Sequence, residues 1–245
     1  KLGIDRISES MNQFGFGDYT GIDLHEEADG IMPSRGIVKA LFNRPWYIGD
    51  TINIGIGQSY WTATPLQLTQ SIATVVNKGK RIIPQIIRGN MEKEQIKLQA
   101  LKERQPINIV NEHNWDIVLD AMYGTVNRKG TANKAFKGSH YISAGKTGTA
   151  QLVSIAQDEK YDATKLSKKN HDNAMYVGYA PYDKPQITLT VVLENAGHGG
   201  AQAAPIARKM MDNYFKDQTF PEHQVIEQFG QDLSKEELTQ VEAHQ

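Results

Sequence analysis

Apolar residues recur at two spacings along this chain, and the switches between them mark its elements. Leu2, Ile4, Ile7, Met11 and Phe14 fall near helical spacing and stop at Gly15 and Gly17, which predicts an opening helix. A turn then leads to a short extended piece at Gly21, Ile22, Asp23 and Leu24. Residues 25–45, with Gly30, Pro33, Gly36 and Pro45, read as a mostly irregular surface excursion. Ile52, Ile54 and Ile56 alternate between Gly49 and Gln58, a pattern of a strand or tight loop that another group approaches closely. Thr64 followed by Pro65 starts a helix, a hydroxyl cap before a proline at the first position, and Leu66, Leu68, Ile72, Val75 and Val76 give it an apolar stripe.

Arg81 to Ile87 is β-like, with Pro84 placing it at an edge, and residues 90–107 form a charged surface connection without a clear period. Asn111 caps a helix carrying Trp115, Val118, Leu119, Met122 and Val126, which closes at Arg128, Lys129 and Gly130. A strand follows at 144–151, then a polar run over 154–171. Two further strands, Ala174–Tyr179 and Ile187–Leu193, are joined by a proline-bounded turn into a hairpin. A helix from about Ala203 to Phe215 closes the pattern. This order predicts an α+β fold, an antiparallel sheet flanked by helices.

The strand at 144–151 carries the candidate chemistry. Its sequence is Ala144, Gly145, Lys146, Thr147, Gly148, Thr149, Ala150, Gln151, and alternation puts Lys146 and Gly148 on one face with Thr147 and Thr149 on the other. One cation and two hydroxyls then lie within about 10 Å of chain. The backbone of such a strand can pair with an extended peptide, the hydroxyls can donate to its carboxylate, Lys146 adds positive potential, and Gly148 leaves room for the approach. A core strand with an incidental lysine has the same letters, and only the neighbouring motifs separate the two.

Composition narrows the choice. The chain has 245 residues, 39% of them hydrophobic, enough for one large domain or a domain with an appendage. Its net charge is −1, from 27 basic and 28 acidic residues, so no global field draws it to nucleic acid, and no nucleic-acid partner is expected. The absence of cysteine removes disulfides and thiolate chemistry. Seven scattered histidines show no helical pair spacing, so neither a metal nor another cofactor is expected, and His198, alone in a glycine-rich turn, reads as structural or incidental. Gly55, Ile56 and Gly57 complete no phosphate-loop pattern. No apolar run is long enough to span a bilayer. Because Lys1 enters a helical pattern with no cap ahead of it, the chain is expected to be the C-terminal portion of a longer protein. The tail from Lys216 holds seven acids and two lysines and reads as an appended helix or a disordered end.

Taken together, Lys146, Thr147, Gly148, Thr149, Ala150 and Gln151, the run Gly49, Asp50, Thr51 with Gly55, Ile56, Gly57, Gln58, and Thr64, Pro65, Leu66, Gln67, Leu68 resemble the transpeptidase domain of class B penicillin-binding proteins. Thr20 to Leu24, Pro45 to Tyr47 and Tyr60 to Pro65 look nearest to the penicillin-binding protein 2 group of Gram-negative bacteria. The resemblance covers residue 2 to about 215, leaving 216–245 as an acidic tail. It implies the C-terminal part of a penicillin-binding and serine β-lactamase-like fold.

The resemblance also implies a peptidoglycan D,D-transpeptidase of cell-wall elongation. In it a serine of a Ser-x-x-Lys motif forms an acyl-enzyme from a stem peptide, and β-lactams occupy the same place. Lys146 and Thr149 map to catalytic positions, Thr149 giving half of the oxyanion hole through its N–H. Thr147, Gly148 and Thr149 map to substrate binding. Implied partners are peptidoglycan stem peptides, β-lactam antibiotics and a cell-elongation glycosyltransferase. The implied location is the periplasmic face of the inner membrane, through an anchor outside these residues. Ser143 with Lys146, and Ser10 with Asn12, satisfy the serine motifs in letters only, because the first pair sits on a strand and the second in the opening helix. The nucleophile is therefore expected upstream. A non-catalytic sensor or scaffold domain is the alternative, and a serine β-lactamase is disfavoured by the long insertions at 25–45 and 90–107.

Overall fold

The computed structural model describes residues 2–92, 95–152 and 167–220. The predicted opening helix is α1 (Gly3–Gln13), and α2 follows at Arg35–Phe42. That second helix is a regular element within the mostly irregular 25–45 stretch. Ser34 caps it by accepting from the Ile37 N–H, and Asn43 ends it in the left-handed region, so its boundaries are set by two polar residues rather than by apolar period.

A correction falls on residues 49–58. They form helix α3 (Ile48–Gly55) and a turn, not a strand. The Asp50 carboxylate accepts from the Tyr47 N–H at the helix start, and Arg44 grips the same carboxylate at 2.7 and 2.9 Å. The Arg44 guanidinium pulls Asp50 below the usual carboxylate range, which opposes its partial burial. The apolar spacing misled because only Ile54 is buried, while Ile48, Ile52 and Ile56, one helical turn apart, stay exposed.

Helix α4 (Pro65–Val76) has the predicted cap: Thr64 Oγ1 accepts from the Gln67 N–H, and Gln67 Oε1 accepts from the Thr64 N–H. Leu68, Ile72 and Val76 of the predicted stripe pack against apolar clusters, but the most buried positions are polar: Gln67, Ser71 and Thr74. Gln67 Nε2 donates to the carbonyls of Asp18 and Asp29 at 2.8 and 2.7 Å, which ties the loop after α1 to α4. That loop carries the 21–24 piece as irregular chain, its Asp23 carboxylate accepting from the N–H groups of Ile86 and Ile87.

Strand β1 (Arg81–Ile82) pairs antiparallel with β4 (Glu103–Arg104), and between them β2 (Gly89–Glu92) and β3 (Gln95–Leu98) make a hairpin. The 90–107 connection is thus built on strand pairs. Helix α5 (His113–Asn127) begins beside Asn111, whose Oδ1 accepts from the His113 N–H, and a short α6 (Asn133–Phe136) leads to the main sheet.

The main sheet has the antiparallel order β5 (Ala144–Ala150), β6 (Asn173–Ala180), β7 (Ile187–Leu193), with Thr147 opposite Tyr176 and Tyr176 opposite Val191. Alternation sends Ala174 and Tyr176 of β6 and Leu189 and Val191 of β7 into one core with Ala203, Ala204, Ala207 and Met211 of α7 (Gly199–Tyr214). Ala144 and Tyr179 face the other side, with Met122 of α5 and Ile72 and Val76 of α4, and Thr190 of β7 shares a 2.8 Å hydroxyl contact with Thr69 of α4. The result is three layers, α7 against the sheet against α4 and α5, an α+β arrangement. The polar run over 154–166 and the acidic tail beyond residue 220 lie outside the described residues. Among those described, no helix is long and apolar enough to cross a membrane.

Candidate active site

Among the described residues β5 is an edge strand of the main sheet, and its residues alternate as the sequence requires. Gly145, Thr147 and Thr149 look toward α7, whereas Lys146 and Gly148 look toward the α4 and α5 layer. Two glycines let α7 come close: a Cβ on Gly199 would overlap the carbonyls of Gly148 and Met175, and one on Gly200 would lie 2.5 Å from the Thr131 carbonyl. The N-terminus of α7 therefore abuts Thr147–Thr149, and its partial positive charge falls on the face that carries the two hydroxyls. Thr147 Oγ1 is 2.7 Å from Thr131 Oγ1, on the turn between α5 and α6. No described residue hydrogen-bonds the Thr149 hydroxyl.

Both ends of β5 are fixed from a distance. At its start, Asn127 Nδ2 donates to the Ser143 carbonyl at 2.7 Å and the Tyr182 N–H donates to the Ile142 carbonyl. At its end, Gln58 Nε2 donates to the Thr149 carbonyl at 2.9 Å, and the Gln151 N–H donates to Gln58 Oε1 at 3.3 Å. Beneath the strand, Tyr176 is fully buried against Gly145. Burial pushes its phenol pKa far up, and its hydroxyl finds no partner among the described residues.

The outer edge of β5 has a definite polarity. Because the Thr147 and Thr149 carbonyls accept from side chains rather than from β6, these two residues point their backbone groups away from β6, and their N–H groups point the same way. Lys146 Nζ, from an exposed side chain, reaches the Thr147 carbonyl at 2.8 Å. Both outward acceptors are thus engaged by cationic or amide donors, while the Thr147 and Thr149 N–H groups face out beside an ammonium and a hydroxyl. Such an edge favours a ligand that presents acceptors, a carboxylate and a polarised carbonyl above all.

The structure therefore brings together Lys146, Thr147, Gly148 and Thr149 within one strand edge. It does not bring the two letter-matched serines to it as reactive groups: Ser143 is buried ahead of β5, and Ser10 lies on α1. His198 sits at the N-cap of α7, where its carbonyl accepts from the Ala201 and Gln202 N–H groups and its ring makes no capping bond. Gln58 and Thr131 were missed as site neighbours. The signal for Gln58 was its place in a glycine-flanked turn, but its partner is 91 residues away.

Comparison with known proteins finds relatives along nearly the whole chain. The penicillin binding protein transpeptidase domain family model matches residues 1–212. The peptidoglycan D,D-transpeptidase MrdA of Haemophilus influenzae is 43% identical over 96% of this chain, and that of Escherichia coli K12 is 39% identical over 86%. The chain spans 37% and 34% of the lengths of these two relatives. Among solved structures, Pseudomonas aeruginosa PBP2 in complex with WCK 5153 superposes with a TM-score of 0.74 at 36% identity, covering 89% of this chain and 45% of that one. Helicobacter pylori PBP2 in complex with MreC gives 0.74 at 28% identity, covering 87% and 36%.

Proposed function

Because this chain belongs to the penicillin binding protein transpeptidase domain family, we propose that it forms the later part of the acyl-transfer site of a peptidoglycan D,D-transpeptidase. Residues 1–215 are that part of the domain and 216–245 an acidic tail. The observation that carries the reading is the polarity of the β5 edge: its acceptors are engaged and its donors face out beside Lys146 and the Thr149 hydroxyl. A D-Ala-D-Ala stem peptide lying along this edge places its terminal carboxylate on the Thr147 and Thr149 hydroxyls and its scissile carbonyl at the Thr149 N–H.

In this mechanism a serine in the part of the protein beyond these residues attacks that carbonyl. The carbonyl oxygen becomes an oxyanion that accepts from the Thr149 N–H. Collapse forms the serine ester and breaks the bond to the terminal D-Ala, which leaves as a protonated amine. An amine of a second stem peptide then attacks the ester, forming the cross-linking amide and returning the serine proton. Lys146 holds positive potential at the serine and the substrate carboxylate throughout. A β-lactam enters by the same first step, and ring opening keeps its leaving group attached.

The curated relatives are named as peptidoglycan D,D-transpeptidases, which supports action on the periplasmic side; the proposed hold on the inner membrane is an anchor outside these residues. A glycosyltransferase of cell elongation is the proposed partner; a related solved assembly described as coordinating polymerisation and crosslinking in a peptidoglycan synthase complex supports that pairing. The test is labelling of the full-length protein by a fluorescent penicillin. Lys146→Ala should lower the acylation rate by at least about 10²-fold, the usual effect of losing an electrostatic catalytic group. Equal labelling of wild type and variant would remove Lys146 from the site.

A further inference from the structure

Gln58 meets β5 in a pattern that a strand would make. Its amide donates to the carbonyl of Thr149 and accepts from the N–H of Gln151, the residues on either side of Ala150. In a parallel ladder a neighbouring residue bonds to the carbonyl of residue i−1 and the N–H of residue i+1, so the Gln58 carboxamide stands where one residue of an added strand would stand. It does so on the free edge of β5, the side an extended peptide must use.

The turn around Gln58 is shaped for this contact. Gly57 and Ser59 both have left-handed backbones, at φ 73° and 74°, and Ser59 adopts it despite carrying a side chain. The Gln58 N–H donates to the Asn53 carbonyl of α3, and downstream Ile31 and Thr62 form a β-bridge with both backbone bonds made. Gln58 is half-buried between these two anchors, so its amide is held at the edge rather than resting there by chance.

Resting on the proposed reading of this edge, we infer that Gln58 is a peptide-like stop: a positioning residue that ends the register of an extended ligand at Thr149. An acceptor group reaches the Thr147 and Thr149 N–H donors unopposed. A ligand amide that would donate to the Thr149 carbonyl must first displace the Gln58 amide. Gln58 therefore selects between ligands by whether they carry such an amide.

The experiment compares acylation rates of the full-length protein by benzylpenicillin, which has an acylamino N–H beside the reactive ring, and by penicillanic acid, the same ring system without it. Gln58→Leu removes both bonds. Gln58→Glu keeps the length and the acceptor toward Gln151 but cannot donate to Thr149, and it guards against a fold effect of the leucine. Both variants should raise the ratio of the benzylpenicillin to the penicillanic acid rate by about three- to tenfold, the size of one displaced hydrogen bond. A purely structural Gln58 would change both rates by one factor, and a ratio unchanged or lowered in either variant overturns the inference while leaving the site reading intact. Failure of the wild-type protein to react with either compound overturns the site reading and this inference with it.

Discussion

Gly145 and Gly148 lie three residues apart on β5 and on opposite faces, so an alanine at each should do different things. A Cβ on Gly145 would overlap the Tyr176 hydroxyl, lie 2.5 Å from the Val177 carbonyl oxygen and 2.6 Å from Tyr176 Cζ. That is about 0.5 Å inside the 3.0 Å that real Cβ atoms keep. Val177 O belongs to the neighbouring strand and Tyr176 is fully buried, so neither can yield cheaply. Overpacking of this kind costs about 3 kcal/mol, or about 6–12 °C of melting temperature for a domain of this size. A Cβ on Gly148 meets only the Met175 side chain, at 3.3 and 3.9 Å, and methionine can shift. Gly148→Ala should therefore melt within about 2 °C of wild type. It should nevertheless lower penicillin labelling by at least about tenfold, because the methyl narrows the approach on the Lys146 face and misplaces the ligand. Thermal unfolding followed by circular dichroism, with labelling of the same samples, separates the two effects. Adding Tyr176→Phe to Gly145→Ala should restore only part of the loss, since the Val177 oxygen remains. A Gly145→Ala protein that melts like wild type, or a Gly148→Ala protein labelled like it, refutes the reasoning.

Two further predictions concern stability. Tyr176→Phe alone should be neutral or stabilising by up to about 1 kcal/mol, because it removes a buried hydroxyl that no described residue satisfies; a loss above that in urea denaturation would reveal a partner. Asp50 is held below its ordinary pKa by Arg44, so its contribution is present above the unfolded value, about 3.9, and is lost as pH falls through the lower folded value. The melting gap between wild type and Asp50→Asn at pH 7 should accordingly narrow progressively as pH falls below about 3.9, and a gap that stays constant as the carboxylate is protonated contradicts the ion-pair account.

How far the sequence spoke depended on whether a pattern was local. The alternation of Lys146 and Gly148 against Thr147 and Thr149, the hairpin between β6 and β7, and the Thr64 and Pro65 helix start all follow from neighbours in the chain, and all were legible. Helix α3 was not, because Ile48, Ile52 and Ile56 are exposed and report no burial in these residues, while alternation of Ile52, Ile54 and Ile56 imitates a strand. The buried face of α4 was only partly legible: Leu68, Ile72 and Val76 pack against apolar clusters as expected, but a fully buried Gln67 is justified only by the Asp18 and Asp29 carbonyls, 49 and 38 residues away. At the site the motif residues were readable, but the polarity of the edge was not. It depends on Gln58 reaching Thr149 and on Lys146 turning back to its own strand, and neither is a property of spacing.

If the outer edge of β5 receives the acyl donor, a crystal structure of the full-length protein acylated by benzylpenicillin should show the ligand carboxylate at about 3 Å from the Thr147 or Thr149 hydroxyl and the ester carbonyl oxygen at about 3 Å from the Thr149 N–H. A penicilloyl group attached with its carboxylate and carbonyl both away from β5 would contradict it.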